Sequence, residues 1–138
     1  MNASHQTVVL VDDEKTYVDF LAMMLAENLG WHVVTFGTAV AALDALAEIS
    51  PAVIVTDYNM PGLDGFEFVR RAAPQLPGVP FIMISGHVIH LPEPDAGSTG
   101  ALRSILPKPF GWRRLADEIL LYAPELAAIP RPAEPTSA

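Results

Sequence analysis

The chain of 138 residues contains no cysteine. This absence excludes disulfide bonds and thiolate metal sites, although it does not identify a compartment. Long apolar runs are also missing, since none approaches the roughly 18 residues that a membrane-spanning helix needs, and we expect no membrane association. The first seven residues hold no basic segment followed by an apolar stretch, so a signal peptide is not indicated and we expect a cytoplasmic protein.

Basic residues are few. Eight Lys and Arg stand against sixteen Asp and Glu, which gives a formal net charge of −8. Direct binding to nucleic acid relies on clustered Lys and Arg that neutralise phosphates, so this composition argues against it. The length fits one domain, and with 51% apolar residues the chain can bury a substantial core.

Short apolar runs rich in Val and Ile alternate along the chain with segments of helical spacing. The predicted strands are residues 8–11, 33–36, 52–56, 80–84 and 104–107. The predicted helices are residues 14–29, 39–48, 64–73 and 111–123. This alternation predicts an α/β fold, a doubly wound five-stranded parallel sheet with helices on both faces.

Two segments depart from this pattern. Between the fourth and fifth strands, where a helix is due, two prolines and two downstream glycines oppose a helix interior, so we expect that helix to be short, displaced or disordered. After residue 123 the chain is rich in proline and small residues, which is typical of a flexible tail. The predicted organisation is an N-terminal extension (1–6), one domain (7–123) and a flexible C-terminal tail (124–138).

Acidic side chains follow two of the predicted strands. Asp12 and Asp13 come after the first run, and Asp57 ends the third. Ligands of parallel α/β sheets bind at the carboxyl ends of the strands, where these residues should meet. Three carboxylates in one compact site suit a hard divalent cation. Without a metal they repel one another, which should raise the proton affinity of at least one.

Two further polar residues follow neighbouring strands. Ser85 follows the fourth run and Lys108 follows the fifth. A carboxylate can be the nucleophile that accepts a phosphoryl group, provided that a cation such as Mg²⁺ and a fixed positive side chain balance the charge. Lys108 would supply that positive charge, so the set predicts a phosphoryl-transfer site.

Each of these residues also has a simpler interpretation. Asp12 and Asp13 could cap the first helix, and Asp57 could be an Asx-turn residue. Ser85 could be an ordinary loop hydroxyl and Lys108 a solvated surface charge. Because all of them are expected at one edge of the sheet, we favour the common site.

The set of Asp12-Asp13, Asp57, Met60-Pro61-Gly62, Ser85 and Lys108-Pro109-Phe110 resembles the receiver domain of two-component response regulators, over roughly residues 6 to 123. The resemblance implies a flavodoxin-like sheet with strand order 2-1-3-4-5. It also implies that Asp57 is the phosphoacceptor and that Mg²⁺ is held by Asp12, Asp13, Asp57 and the backbone carbonyl of Asn59.

Further roles follow from the resemblance alone. Ser85 and Lys108 would contact the phosphoryl group, and Pro109 would follow a cis peptide bond. Asn59 and His87 would influence the lifetime of the phosphoryl group. The phosphoryl donor would be a histidine kinase or a histidine phosphotransfer protein. Apart from its own phosphorylation and slow autodephosphorylation, we expect no enzymatic activity.

The first predicted helix carries Tyr17, Phe20 and Met24 as a second apolar face beside its core stripe. Either the helix is rotated so that some of these side chains are buried, or the face docks the kinase or phosphotransfer protein, as the resemblance implies.

Ile105 departs from the family pattern, which usually has Tyr or Phe at this position. An aliphatic side chain cannot make the same rotation, and the weak helix before it alters the same surface, so we expect a monomer or a weak homodimer. The output would be protein contact or onward phosphotransfer. Two alternatives are a non-phosphorylated adaptor and a phosphohydrolase with an Asp nucleophile, although the latter pattern has Asp where Asn59 stands here.

Overall fold

The computed structural model describes residues 7–86 and 100–128. The strands are β1 (Thr7–Val11), β2 (His32–Phe36), β3 (Pro51–Asp57), β4 (Phe81–Ser85) and β5 (Leu102–Pro107). The helices are α1 (Lys15–Leu29), α2 (Ala39–Ala45), α3 (Gly65–Ala72) and α4 (Trp112–Tyr122), with 3₁₀ turns at Leu46–Glu48, Ala73–Gln75 and Pro124–Ala128. The helix expected to be weak falls on residues 87–99, which lie outside the described residues.

The five strands form one parallel sheet in the order β2-β1-β3-β4-β5. This confirms the predicted α/β class and strand order. The three inner strands are buried along their whole length, whereas β2 and β5 at the edges are partly exposed. Continuous apolar runs are typical of parallel strands that are covered on both faces, which explains why the runs predicted the strands.

Side chains of each inner strand alternate between two cores. Val53 and Val55 pack on one face with α1 and α4, while Ile54 packs on the other face with α2 and α3. Since successive residues of a strand point to opposite faces, a Val/Ile run serves both cores. The sheet is therefore doubly wound, as predicted. None of the helices in the described parts of the chain has the length and apolarity to cross a membrane.

Helix ends follow the local signals in the sequence. Gly30 ends α1 in a left-handed conformation with φ 73°, and its N–H donates to the carbonyl of Ala26 at 2.9 Å. Asp64 caps α3, since its side chain accepts a hydrogen bond of 2.8 Å from the backbone N–H of Glu67.

The predicted boundary of the C-terminal tail needs correction. Residues Pro124–Ala128 form a 3₁₀ turn, in which the Leu126 side chain is 0% exposed. The indole N–H of Trp31 donates to the Leu126 carbonyl at 3.2 Å. A buried leucine and a buried hydrogen bond fix this turn against the core that contains α1 and α4, so the ordered fold extends to residue 128 rather than ending at residue 123. Residues 129–138 lie outside the described part of the chain.

Candidate functional site

The carboxyl ends of β1, β3, β4 and β5 bring the predicted polar residues to one edge of the sheet. Backbone hydrogen bonds extend the strand pairing just beyond the strands. The N–H of Asp12 donates to the Phe36 carbonyl at 3.0 Å, and the N–H of Lys108 donates to the Ser85 carbonyl at 2.7 Å. The sheet itself therefore positions these residues.

Three carboxylates meet at this edge. Asp12, Asp13 and Asp57 each offer an oxygen atom, and these atoms all lie within 4.8 Å of one another. Asp12 is 1% exposed and Asp57 is 4% exposed, whereas Asp13 faces solvent. Oxygen ligands that converge on an open side suit a hard divalent cation that also retains water, such as Mg²⁺.

The electrostatics of the cluster favour a bound cation. Burial, with repulsion by Asp12, raises the pKa of Asp57 to about 6, although Lys108 and the backbone N–H of Asn59 oppose the change. Burial also raises the pKa of Asp12, against a hydrogen bond from the Glu14 N–H and the charge of Lys108. Lys108 therefore does not fully compensate the negative charge of the two buried carboxylates. A divalent cation would supply the missing positive charge.

Lys108 is the cation of the cluster in the described structure. Its Nζ lies 2.9 Å from Glu14 Oε1, 3.5 Å from Asp12 Oδ2 and 3.6 Å from Asp57 Oδ1. Nζ also lies 4.9 Å from the centre of the Tyr17 ring, within the range of a cation–π contact. The peptide bond between Lys108 and Pro109 is cis.

The loop after Asp57 is built around close backbone approaches. Gly62 has φ 88°, a conformation that favours glycine. A Cβ on Gly65 would lie 2.8 Å from the Asp57 carbonyl oxygen and 2.9 Å from Cα of Tyr58. The first turn of α3 thus packs directly on the backbone of the acidic residue. Gly65 was not singled out from sequence, because one glycine at a helix start carries no signal about its neighbours.

Of the other predicted site residues, the structure describes Ser85 and Asn59. Ser85 is buried at the end of β4, where it pairs with Pro107 of β5. Asn59 is exposed two residues after Asp57. His87 lies outside the described residues.

The three apolar residues on α1 differ in exposure. Tyr17 is half-buried and packs edge-on against Phe110, with ring centres 6.1 Å apart. Phe20 is 49% exposed and lines an open groove beside the site, whereas Met24 is half-buried. Phe20 is therefore the member of this set most available to a partner.

Comparisons with known proteins agree on one family. The chain matches the family model of the response regulator receiver domain over residues 8–120. Transcriptional regulatory protein FixJ of Bradyrhizobium diazoefficiens is 35% identical over 108 residues, which cover 78% of this chain and 52% of FixJ. Response regulator receiver protein CpdR of Brucella abortus is 32% identical over 112 residues, which cover 81% of this chain and 92% of CpdR. The chain thus spans about half of FixJ and most of CpdR.

Solved structures show the same fold. The crystal structure of a CheY-like response regulator receiver domain protein from Methanospirillum hungatei superposes with a TM-score of 0.76 at 22% identity, over 88% of this chain and 95% of that chain.

Proposed function

The chain belongs to the response regulator receiver domain family, and we propose that it accepts a phosphoryl group on Asp57 from a phosphohistidine of a histidine kinase or phosphotransfer protein. The observation that carries the proposal is the position of Asp57 beside two further carboxylates and within 3.6 Å of the Lys108 ammonium. A carboxylate that only stabilised a turn would need neither the two further carboxylates nor the ammonium.

The transfer requires a nucleophile and a leaving group. A carboxylate oxygen of Asp57 would attack phosphorus and form an acyl phosphate, while the bond from phosphorus to the imidazole nitrogen of the donor breaks and its electron pair stays with that nitrogen. Hydrolysis of the acyl phosphate would later restore the carboxylate and release inorganic phosphate.

Lys108 and Ser85 would bind the new phosphoryl oxygens. Lys108 is held beside Asp57 in the described structure, and Ser85 is buried at the end of the adjacent strand. Asp12, Asp13 and Asp57 offer the oxygen ligands for Mg²⁺, with the Asn59 carbonyl as a further candidate. When bound, Mg²⁺ would neutralise charge on the transferring group.

Two positions affect the fate and the output of the phosphoryl group in this proposal. Asn59 would influence its lifetime, because it is exposed two residues after Asp57 and has no carboxyl group that could act as acid or base as in an Asp-nucleophile phosphohydrolase. Ile105 is partly buried on β5 and packs against the core that contains α2 and α3. The output would be onward phosphotransfer, or protein contact through a surface change other than rotation of an aromatic ring at position 105.

Mass spectrometry after incubation with acetyl phosphate and Mg²⁺ tests this function. We expect one phosphoryl group on the wild type and on Asp44→Asn, which removes an exposed carboxylate from α2, and none on Asp57→Asn. Equal labelling of Asp57→Asn would place the acceptor elsewhere. If the wild type is neither labelled nor changed spectroscopically around Asp57 by beryllofluoride with Mg²⁺, the protein is a non-phosphorylated adaptor instead.

A further inference from the structure

The nearest partner of Lys108 is a residue outside the carboxylate cluster. Within residues 7–86 and 100–128, Nζ of Lys108 makes one short hydrogen bond, of 2.9 Å, to Glu14, whereas Asp12 and Asp57 lie at 3.5 and 3.6 Å. The latter two distances are at or beyond the limit of a good hydrogen bond. The ammonium therefore lies closer to Glu14 than to the predicted phosphoacceptor.

Helix capping does not explain the position of the Glu14 side chain. Glu14 is the N-cap residue of α1, yet its side chain accepts no hydrogen bond from the helix backbone. Asp, Asn, Ser and Thr are the side chains suited to that role. The backbone N–H of Glu14 instead donates to Asp12 Oδ1 at 2.9 Å, while its carboxylate reaches across to Lys108.

A second side chain of α1 confines the same ammonium. Tyr17 lies three residues after Glu14, so both side chains lie on the same side of the helix. The Tyr17 ring, packed against Phe110, stands 4.9 Å from Nζ of Lys108. Glu14 at the N-cap of α1 and Tyr17 in its first turn thus both contact Lys108, and Glu14 supplies the charged contact.

We propose that Glu14 is a positioning residue that holds Lys108 in the unphosphorylated state and competes with a phosphoryl group on Asp57 for its ammonium. This inference rests on the proposed function. To contact phosphoryl oxygens on Asp57, Nζ must move toward Asp57 and lengthen its short bond to Glu14. Because the Glu14 side chain is 63% exposed, water can replace the lost contact. Glu14 thereby weakens the phosphorylated state relative to the unphosphorylated one.

Binding of beryllofluoride with Mg²⁺ to the full chain, followed by NMR, measures this competition. Glu14→Gln should bind beryllofluoride about two- to fivefold more tightly than the wild type, the size expected for a partly exposed ion pair. Asp19→Asn is the matched control, because Asp19 is an exposed acid of the same helix that pairs with Lys15 instead. Equal tightening by both variants would show that net charge alone is responsible and would overturn the proposal.

A second measurement observes Lys108 directly. With Mg²⁺ and no beryllofluoride, exchange of the Lys108 ammonium hydrogens with water should be slow in the wild type and in Asp19→Asn and faster in Glu14→Gln. Unchanged exchange in Glu14→Gln would overturn the inference while leaving the proposed function intact. If the wild type binds no beryllofluoride, both the proposed function and this inference fail.

Discussion

Asp57 Oδ1 lies 3.6 Å from Nζ of Lys108, yet the pKa of Asp57 is raised to about 6. The cost of burying this carboxylate, together with repulsion by Asp12, therefore exceeds the attraction of the ammonium. Without a divalent cation, the folded protein carries an unfavourable charge at this position whenever Asp57 is ionised.

This charge predicts that Asp57→Asn stabilises the metal-free protein at neutral pH. The folded-state pKa lies above the ordinary value of 3.8, so between pH 4 and pH 6 the folded state binds more protons than the unfolded state, and stability falls as the pH rises. Above pH 6 the variant should exceed the wild type by about 2–3 kcal/mol in free energy of unfolding, and the difference should vanish below about pH 3. Urea unfolding of both proteins in EDTA, repeated at several pH values from acidic to neutral, measures this difference in free energy.

The control for this prediction is Asp44→Asn, which removes an exposed carboxylate on α2 that is not part of the cluster. We expect it to change the free energy of unfolding by less than about 0.5 kcal/mol at every pH. A stability difference between Asp57→Asn and the wild type that does not depend on pH would contradict the assignment to Asp57 ionisation.

Mg²⁺ should stabilise the wild type against unfolding, since the ligand oxygens come together only in the fold. At 100 times its dissociation constant the expected gain is about 2.7 kcal/mol. Asp13→Asn should reduce this gain at the same Mg²⁺ concentration, although Asp13 is exposed and its loss should change the metal-free stability little. Thermal unfolding with Mg²⁺ and with EDTA measures the stabilisation by Mg²⁺ in the wild type and in Asp13→Asn. Asp19→Asn should retain the full gain, and an equal loss in both variants would indicate nonspecific screening.

Gly65→Ala should destabilise the fold by about 1–3 kcal/mol, because the added Cβ meets backbone atoms of Asp57 and Tyr58 that cannot turn aside. Displacement of this backbone should also weaken binding of beryllofluoride with Mg²⁺. Gly111→Ala is the matched control, since Gly111 also lies next to the start of a helix and a Cβ there has nothing within 4 Å. Equal effects of the two substitutions would show that the close approach to Asp57 is unimportant.

The sequence predicted those features of this molecule that depend on local patterns of neighbouring residues. The Val/Ile runs gave the strands, Gly30 marked the end of α1, and the acidic residues after β1 and β3 predicted the cluster that the sheet brings together. Individual side-chain pairs that do not follow from the strand ends carried no such signal. Glu14 and Lys108 are 94 residues apart, and nothing in either local pattern indicated that they pair.

The boundary at residue 123 was wrong for a related reason. Proline and small residues are typical of tails, but the composition does not show that Leu126 has a place in the core beside Trp31. Tertiary packing decides whether such a segment is ordered.

Leu126→Ala should therefore cost about 2–5 kcal/mol, the range for a fully buried leucine. Leu121→Ala is the control, because Leu121 is 68% exposed and its loss should change the free energy of unfolding by less than about 0.5 kcal/mol. Chemical unfolding monitored by tryptophan fluorescence measures both. A cost for Leu126→Ala as small as that of the control would mean that residues 124–128 do not contribute to the core.

Partner docking is best tested at Phe20 alone, because Tyr17 also contacts Lys108 and its truncation would disturb the site itself. We expect Phe20→Ala to slow phosphoryl transfer from a phosphorylated histidine kinase by about tenfold, as for an apolar side chain that anchors an interface. Labelling by acetyl phosphate should stay unchanged, since that donor needs no docking surface.

Val40→Ala provides the comparison for Phe20. Val40 is 59% exposed on α2, which packs on the opposite face of the sheet from α1. Val40→Ala removes exposed apolar surface without touching the groove beside the site, so both phosphodonors should react with this variant at wild-type rates. If Phe20→Ala slows acetyl phosphate and the kinase equally, Phe20 acts on the chemistry of Asp57 rather than on docking. If it slows neither, the partner binds another surface.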